Sequence, residues 1–500
     1  MKVGLDDTGE YVILATVRAA SAYTEAVRIA KALHPKAELK TFAPGNLDAL
    51  LPFLKQQKPR YALIFMTPDE LDTNFAWRWL PLTTKIDDDP FVDVRTGFIT
   101  GATAKDVFDF MQRIKHACVS KMVLHNKMID NLGLNQMASK DNFQTFPMSN
   151  FVPVFSEAMP VVSISHGCEG FTEKHLDTMD GAGLLHFGGH GWPDRVEDGI
   201  TAGQAGKLKI APCIVFSGAC YTGVTRGWWS PWSKNGSVKH NDVAPDRSFC
   251  LKLLGNNVLA YFAALHADHG CPVYQEMEYL AFTGAPLGDA IKNTHDGVVL
   301  GSGGKLPPLP FFVSGQRSPQ LTPAQIMLYG SASRILFGDP AMTVMPGFTA
   351  PPFKISAVSS ANKLQAVATL SNNSLKPTFT DTYYCEMSRI PGMFNDAAVL
   401  SIPLANGTAV SNVTVEKVDT PSGPQKHRLV GYGVETDGGQ SRLRLQIDLP
   451  SDGFLQSKFR ANGSSITISA WLSSSRRRQA KGNSSTRAAA DGILAPAPSF

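Results

Sequence analysis

Two side chains that could carry out chemistry together each follow an apolar run near the middle of the chain. His190 comes after GLLHF (183–187) and two glycines, and Cys220 directly follows PCIVFSGA (212–219). A cysteine thiolate is a strong nucleophile, and a neighbouring imidazole can accept its proton and later protonate a leaving group. A lone buried cysteine is usually a small apolar core residue. The paired placement nevertheless makes covalent catalysis a hypothesis worth testing.

The spacing of the pair indicates how the two side chains would meet. Thirty residues separate His190 from Cys220, which is enough for a crossover between two parallel strands. Ligands bind beyond the carboxyl ends of the strands in open α/β sheets, so we expect both side chains at one edge of a sheet. Gly191 allows backbone N–H groups to approach a substrate closely. Its N–H and that of Cys220 are therefore candidates for an oxyanion hole.

The residues around this pair predict a long alternation of strands and helices. Short apolar runs alternate with amphipathic helical patterns from residue 11 to 114, and the alternation resumes from 159 to 344. This order favours doubly wound parallel sheets. We therefore predict an N-terminal α/β subdomain over residues 1–150 and a second α/β subdomain over 151–346, which contains both reactive residues.

The rest of the chain has a different composition. From residue 352 to 475, short β-branched segments are separated by Gly, Pro, Asn and Ser, and this pattern predicts a β-sandwich. Residues 476–500 contain five Lys or Arg residues and one Asp among small residues. That composition predicts a flexible basic tail.

Composition and charge exclude several classes of protein. The formal net charge of +4 belongs entirely to the tail, so the neutral body does not favour nucleic-acid binding. No apolar run reaches the about 18 residues of a membrane helix, and we predict no membrane span. The N-terminus lacks the apolar core of a secretory signal, and the seven scattered cysteines form no C-x-x-C pattern. These features predict a cytoplasmic location, with secretion as the alternative.

The two reactive segments resemble a known signature. GLLHFGGHG (183–191) and CIVFSGACYTG (213–223) are similar to the strand ending in His-Gly and the later strand ending in Ala-Cys of the caspase–gingipain clan of cysteine peptidases. The resemblance is closest to the gingipain-like family. It continues in three further segments: DDDPFVDVRTGFITG (87–101), GAPLGDAI (284–291) and LFGDPAM (336–342).

The resemblance implies both a fold and an activity. The fold would be a pair of caspase-like α/β subdomains, the second with the catalytic dyad, followed by an immunoglobulin-like β-sandwich. The activity would be that of a cysteine endopeptidase that cleaves proteins or peptides through an acyl-enzyme thioester, with Cys220 as nucleophile and His190 as acid/base. Gingipain-like members generally cleave after Arg or Lys, which implies a preference for a basic residue. The chemistry itself needs no cofactor.

Several side chains near the pair are candidates for the substrate pocket. A carboxylate could neutralise a basic substrate side chain, and the acidic candidates are Asp194, Glu197, Asp198 and Asp268. A solvated loop is the alternative interpretation of these acids. Three tryptophans follow Cys220 in a stretch rich in Gly, Ser and Pro, and they favour a cleft wall or an interface: Trp228, Trp229 and Trp232.

An acidic stretch in the N-terminal subdomain is a candidate metal site. Asp87 and Asp89, together with Asp88 and Asp93, offer the oxygen ligands that a hard cation prefers. A structural calcium ion is one interpretation, and a solvated turn that caps a strand is the favoured alternative.

A second His-Gly pair competes with His190 for the role of base. VVSISHGCEG (161–170) places His166 after another apolar run, 54 residues before Cys220, and caspases show a spacing of about 50. We prefer His190 because its strand directly precedes the cysteine strand, and sequential strands are usually neighbours. The two glycines before His190 also permit a tight turn. His166 would then be a structural or pocket residue.

Two other functions remain open at this point. A binding or scaffold protein could retain the fold without catalysis, and a cysteine-dependent hydrolase or transferase of another α/β fold could use the same pair. Thiol-dependent labelling separates the first from an enzyme. Cleavage of small esters or amides but not of peptides identifies the second.

Overall fold

The computed structural model describes the larger part of the chain. The described residues are 1–132, 159–164, 177, 179, 181–196, 200–230, 237–268, 273–306, 312–317, 329–347, 353–360, 362–370, 396–449 and 463–474. Some residues discussed above lie outside this set: His166, Glu197, Asp198, Trp232 and the tail at 476–500. The expectations for them remain predictions.

The α/β part extends from the N-terminus to residue 347. Its strands are β1 (Gly4–Leu5), β2 (Tyr11–Thr16), β3 (Glu38–Phe42), β4 (Tyr61–Phe65), β5 (Arg95–Ile99), β6 (Met128–Leu132), β7 (Val161–Ile164), β8 (Leu184–Gly188), β9 (Gly191–Trp192), β10 (Arg195–Val196), β11 (Cys213–Ser217), β12 (Gly227–Ser230), β13 (Lys239–Asp242), β14 (Val258–Ala264), β15 (Arg334–Phe337) and β16 (Met342–Thr343). Its helices are α1 (Val17–Ala22), α2 (Thr24–Leu33), α3 (Leu51–Gln57), α4 (Thr73–Thr83), α5 (Ala104–Ser120), α6 (Ala202–Ala205), α7 (Phe249–Leu254), α8 (Val273–Thr283) and α9 (Leu287–Gly301), with 3-10 turns at Leu47–Leu50 and Pro245–Arg247.

A ten-stranded mixed sheet runs through this part in the order β3-β2-β4-β5-β15-β14-β11-β8-β6-β7. Neighbouring strands within each half are parallel, as the alternation of strands and helices predicts. The halves join through the antiparallel pair β14 and β15, with Tyr261 opposite Phe337. The sequence analysis expected one parallel sheet in each subdomain. The structure instead forms one continuous sheet. The sequence could not predict this, because the alternation of strands and helices indicates the crossovers within each half of the sheet but not the pairing of strands between the halves.

Each half of the sheet includes a strand from the other side of residue 150. β6 precedes that position but pairs with β7 and β8. β15 follows it but pairs with β5. The two halves of the sheet are therefore interleaved along the chain.

The central strands are buried on both faces, which explains their uninterrupted apolar sequences. Every residue of β11 and β14 is buried, as expected where helices cover both faces of a parallel sheet. Helix α5 begins at a capping box formed by Thr103 and Asp106, and its apolar side packs into the core. Within the described ranges, no helix has both the length and the apolar character needed to span a membrane.

The C-terminal part is built from strands alone in the described residues. They are β17 (Phe353–Ser359), β18 (Lys363–Leu370), β19 (Asp396–Leu404), β20 (Thr408–Thr420), β21 (Gly423–Pro424), β22 (Arg428–Asp437), β23 (Gln440–Leu449) and β24 (Ser465–Ser474). A five-stranded sheet in the order β17-β18-β24-β20-β21 and a three-stranded sheet in the order β19-β23-β22 share one apolar core. Burial alternates along β18 and over most of β23. Two antiparallel sheets therefore enclose a core, as the alternating pattern predicts.

Buried charge pairs join the two parts. Lys292 of α9 contacts Asp296 at 2.6 Å and also pairs with Glu435 of β22. Arg95 of β5 pairs with Asp437 of the same strand β22. Because most of these side chains are shielded from water, the pairs fix how the end of β22 lies against the α/β part.

Candidate active site

The segments that carry His190 and Cys220 lie side by side at one edge of the sheet. Strands β8 and β11 are parallel neighbours, with Phe187 opposite Ser217, as the thirty-residue gap predicts. His190 follows β8 by two residues, and Cys220 follows β11 by three. Both residues therefore lie beyond the carboxyl ends of their strands, the usual position of ligands in α/β sheets.

Glycines allow the two segments to approach each other closely. A Cβ placed on Gly191 would lie 2.2 Å from the carbonyl oxygen of Cys220, so the backbone after His190 packs directly on the backbone of Cys220. Gly189 has a φ of +108°, a conformation that side-chain-bearing residues rarely adopt. His190 is exposed and Cys220 is partly buried. The candidate base and nucleophile therefore share one accessible edge.

The backbone turns sharply after Cys220. Tyr221 adopts a left-handed conformation with a φ of +60°, which costs a residue with a side chain about 1–2 kcal/mol. Its N–H donates to the carbonyl oxygen of His266 at 3.0 Å, and the N–H of Gly223 donates to that of Ala264 at 2.8 Å. These bonds to the end of β14 and the segment after it hold the turn that presents Cys220.

A backbone donor points at the sulfur of Cys220. The N–H of Asp268, four residues after β14, donates to Sγ at 3.2 Å. A hydrogen bond from an N–H group stabilises a thiolate relative to a thiol. The contact therefore favours the reactive form of the sulfur.

The acidic pocket candidates within the described residues both contact arginines. Asp194 is partly buried and pairs with Arg195 at 3.2 Å and Arg247 at 3.3 Å. Asp268 is buried and pairs with Arg334 at 2.5 Å through Oδ2, while its Oδ1 accepts no hydrogen bond from the described residues. Burial raises the pKa of Asp268 to about 7, although Arg334 opposes the shift. Among the described residues the two acids thus differ, because the Oδ1 of Asp268 accepts no hydrogen bond whereas both oxygens of Asp194 contact arginines.

Aromatic side chains lie next to each of the two segments that carry the candidate dyad. Trp228 packs edge-on against Tyr221, with ring centroids 5.2 Å apart, and is therefore next to the residue that follows the nucleophile. Trp229 is buried. Trp192, which the sequence analysis did not single out, is 39% exposed, and its ring centroid lies 6.4 Å from that of His190. Trp192 and Trp228 are accessible enough to form walls of a cleft.

The sequence analysis also missed Arg334 and Glu276. The Arg334 guanidinium is fully buried and donates to both Glu276 oxygens, at 2.7 and 2.6 Å, and to the carbonyl oxygen of Ser217 at 2.8 Å. A signal was present, because an arginine that opens the apolar strand RILF (334–337) is an unusual residue at a position that becomes buried. Its partners lie far away in sequence and could not be assigned from the pattern.

The acidic stretch in the N-terminal half brings three carboxylates together. Oxygens of Asp87, Asp89 and Asp93 lie within 4.8 Å of one another, whereas Asp88 is exposed outside this group. Burial, followed by the charges of Asp87 and Asp89, raises the pKa of Asp93 to about 8. Burial also raises the pKa of Asp89 to about 6. An all-oxygen donor set of this kind fits a hard cation such as calcium.

Comparisons with known proteins give likenesses among solved structures only. No protein-family model and no curated protein sequence matches this chain. A structure described only as a protease is 10% identical, with a TM-score of 0.42, over 90% of this chain and 93% of the other. Gingipain R, an Arg-specific cysteine proteinase, is 11% identical, with a TM-score of 0.43, over 88% and 93%. The separase–securin complex of Saccharomyces cerevisiae is 11% identical, with a TM-score of 0.35, over 57% of this chain and 16% of the other.

Proposed function

We propose that this chain is a cysteine endopeptidase in which Cys220 is the nucleophile and His190 the acid/base. The observation that carries the proposal is the packing of the Gly191 backbone on the Cys220 carbonyl at the shared carboxyl edge of β8 and β11. This packing supports the proposal because it joins the backbone next to the exposed His190 to the backbone of the partly buried Cys220. The N–H of Asp268 at 3.2 Å from the sulfur adds a contact that favours the thiolate.

The proposed reaction proceeds through an acyl-enzyme. His190 accepts the proton of the Cys220 thiol, the thiolate attacks the carbonyl carbon of the scissile bond, the C–N bond breaks, and His190 gives that proton to the leaving nitrogen. Water then attacks the thioester while His190 accepts its proton, and the thiolate released when the C–S bond breaks takes this proton back to restore the thiol. The N–H groups of Gly191 and Cys220 are the proposed donors to the oxyanion.

The proposal includes a preference for a basic residue before the scissile bond, as the resemblance to gingipain-like peptidases implies. Asp194 and Asp268 are the candidate countercharges: Asp194 is partly exposed but both of its oxygens contact arginines, whereas Asp268 has an Oδ1 with no donor among the described residues but is fully buried. The half-buried ring of Trp228 is the proposed wall of the pocket, where an aromatic face can also bind a cation.

The first test is a peptide library varied at the residue before the scissile bond. We expect cleavage after Arg or Lys by the wild-type protein and loss of cleavage in both Cys220→Ala and His190→Ala. The matched control is His166→Ala, because His166 ends the competing His-Gly run. Loss of cleavage in His166→Ala with retention in His190→Ala would reassign the base.

Other outcomes of the same assay separate the remaining functions. Cleavage of small esters without cleavage of any peptide would favour a different thiol hydrolase. If the wild-type protein cleaves nothing and Cys220 resists thiol-directed labelling, with and without calcium and reductant, the chain is a scaffold that retains the fold.

We also propose that Asp87, Asp89 and Asp93 bind a structural calcium ion and that the C-terminal β-sandwich is immunoglobulin-like. The oxygen-only donor set supports the first point. In addition, the Asp89 Oδ2 accepts a hydrogen bond from the N–H of Thr436 at 2.8 Å. A cation at this cluster would therefore strengthen the contact between the α/β part and the β-sandwich.

A further inference from the structure

One guanidinium connects three segments that surround the candidate nucleophile. Arg334 opens β15 and is fully buried. Its Nη1 donates to the carbonyl oxygen of Ser217, the last residue of β11, and to the carboxylate of Asp268, while Nε and Nη2 bind Glu276 of α8. Arginine suits this role because its donors lie in one rigid plane.

The contact with Asp268 determines where a backbone donor lies. The side chain of Asp268 is bound to Arg334 at 2.5 Å, and the N–H of the same residue donates to Sγ of Cys220 at 3.2 Å. The carboxylate and the N–H belong to one residue, so the ion pair with Arg334 restrains the segment that carries the N–H. The contact with Ser217 holds the end of the strand that leads to Cys220.

We propose that Arg334 is a positioning residue for Cys220, which acts by holding the N–H of Asp268 on the sulfur. The inference rests on the proposed function, since it gives a role to a residue behind the same dyad. Arg334 is fully buried, and its proposed effect passes through the backbone of Asp268.

The positive charge of Arg334 does not balance the two carboxylates that it contacts. Asp268 and Glu276 contribute two carboxylates against one guanidinium in the interior, and burial raises the pKa of both acids. A substitution that changes a charge would therefore alter both the geometry and the electrostatic potential at the sulfur. The informative variants are those that keep every charge.

A pH-dependent assay of the thiol must take its neighbours into account. Among the described residues, the titratable and charged groups on the elements around Cys220 include His186 of β8, His190 after it, Tyr261 of β14, His266 and Asp268 after it, Glu276 of α8, His295 of α9, Arg334 of β15 and the adjacent Tyr221. The two variants described next, Arg334→Lys and Glu276→Asp, keep the sign of every one of these charges.

The experiment measures the rate of iodoacetamide alkylation of Cys220 against pH, with the Cys220 peptide quantified by mass spectrometry. Arg334→Lys keeps the positive charge but loses the planar fork, and Glu276→Asp keeps the negative charge but shortens its reach. In both variants we expect the midpoint of the alkylation rate against pH to rise by about one pH unit. A rise of this size corresponds to a tenfold lower fraction of thiolate at a pH below the midpoint. Peptide cleavage should show a lower kcat with KM nearly unchanged.

Arg95→Lys is the matched control. Arg95 is 2% exposed and also contacts two carboxylates, Asp289 and Asp437, but within the described part of the chain it has no bond to the segments around Cys220. We expect this variant to lose stability while the alkylation midpoint stays at the wild-type value. An equal shift in Arg95→Lys would show that general loosening, rather than positioning, moves the midpoint.

The outcomes separate this inference from the proposed function. Folded Arg334→Lys or Glu276→Asp with a wild-type midpoint overturns the inference. If Arg334→Lys does not fold, Glu276→Asp decides, because it removes only one methylene. The alkylation assay needs no substrate, so a wild-type protein that cleaves no peptide removes the proposed function but leaves this test valid.

Discussion

Lys292 and Glu435 form an ion pair between helix α9 and strand β22, and their side chains are only 6% and 5% exposed. The pair lies where the α/β part meets the β-sandwich. Arg444 also contacts Glu435, at 2.7 Å. The contact is therefore a buried network rather than a surface salt bridge, and removal of one partner leaves an uncompensated charge.

Substitution Glu435→Gln is expected to lower the free energy of unfolding by about 3 kcal/mol, since it leaves Lys292 and Arg444 with Asp296 as their remaining acid. Urea denaturation at pH 7 measures the change. The control is Glu25→Gln, because Glu25 forms an exposed pair with Arg28 and should change stability by less than about 1 kcal/mol. Equal losses in the two variants would contradict the prediction.

The carboxylate of Glu435 also makes the free energy of unfolding depend on pH in the acidic range. Burial opposes ionisation of Glu435, but Lys292 and Arg444 outweigh it and lower its pKa to about 2, from an ordinary 4.5. The unfolded chain thus takes up the proton first as pH falls. The stabilisation is complete above about pH 4.5 and is lost between there and pH 2. Glu435→Gln should flatten this part of the stability profile.

Gly191→Ala is expected to abolish peptide cleavage while the protein remains folded. The added Cβ would lie 2.2 Å from the Cys220 carbonyl oxygen, so the two segments of the dyad must separate. The cleavage assay and circular dichroism together check this. Gly297→Ala is the matched control, because nothing lies within 4 Å of its Cβ in helix α9. That variant should retain activity and gain about 0.5–1 kcal/mol from helix propensity.

Calcium is expected to stabilise the protein more at pH 8.5 than at pH 6. Burial, followed by the charges of Asp87 and Asp89, raises the pKa of Asp93 to about 8, so the proton that a cation must displace is bound below that pH. Without calcium, this group contributes stability that is lost as pH rises towards 8, because the native state binds its proton more tightly. Thermal unfolding with calcium or with a chelator measures both effects.

Two aspartate variants provide the comparison for calcium. Asp93→Asn should remove the calcium-dependent rise in Tm, whereas Asp88→Asn should retain it, because Asp88 is exposed outside the cluster. A rise in Tm that is equal in both variants would place the ion elsewhere.

His295 is expected to make the protein sensitive to mild acid. Burial lowers its pKa to about 4, and its Nε2 lies 3.0 Å from the carbonyl oxygen of Arg334. The unfolded chain binds the proton first, so stability is full above about pH 6.5 and falls as pH drops towards 4, by about 3 kcal/mol at most. His295→Gln should flatten the profile in this range. The exposed His116→Gln should leave the profile unchanged.

Local patterns in the sequence were sufficient to predict the central strands of the large sheet and to single out His190 and Cys220 as candidates. Uninterrupted apolar runs identify β8 and β11 because buried parallel strands need apolar residues on both faces. The gap between His190 and Cys220 predicts a crossover, and this predicts their placement at one edge. The alternating pattern after residue 352 predicts the sheets of the C-terminal part in the same way.

Other features depend on contacts between residues that are distant in sequence. The antiparallel pairing of β14 with β15 joins the halves of the sheet, and no periodicity reports which edges meet. Arg334 reaches Asp268 and Glu276, 66 and 58 residues away, because β14, β15 and α8 pack together around it. The sequence alone thus predicted the central strands and the candidate residues for chemistry through local periodicity and residue type. The tertiary structure alone decided which buried charges are paired and which backbone N–H faces the sulfur, because these depend on distances that folding creates.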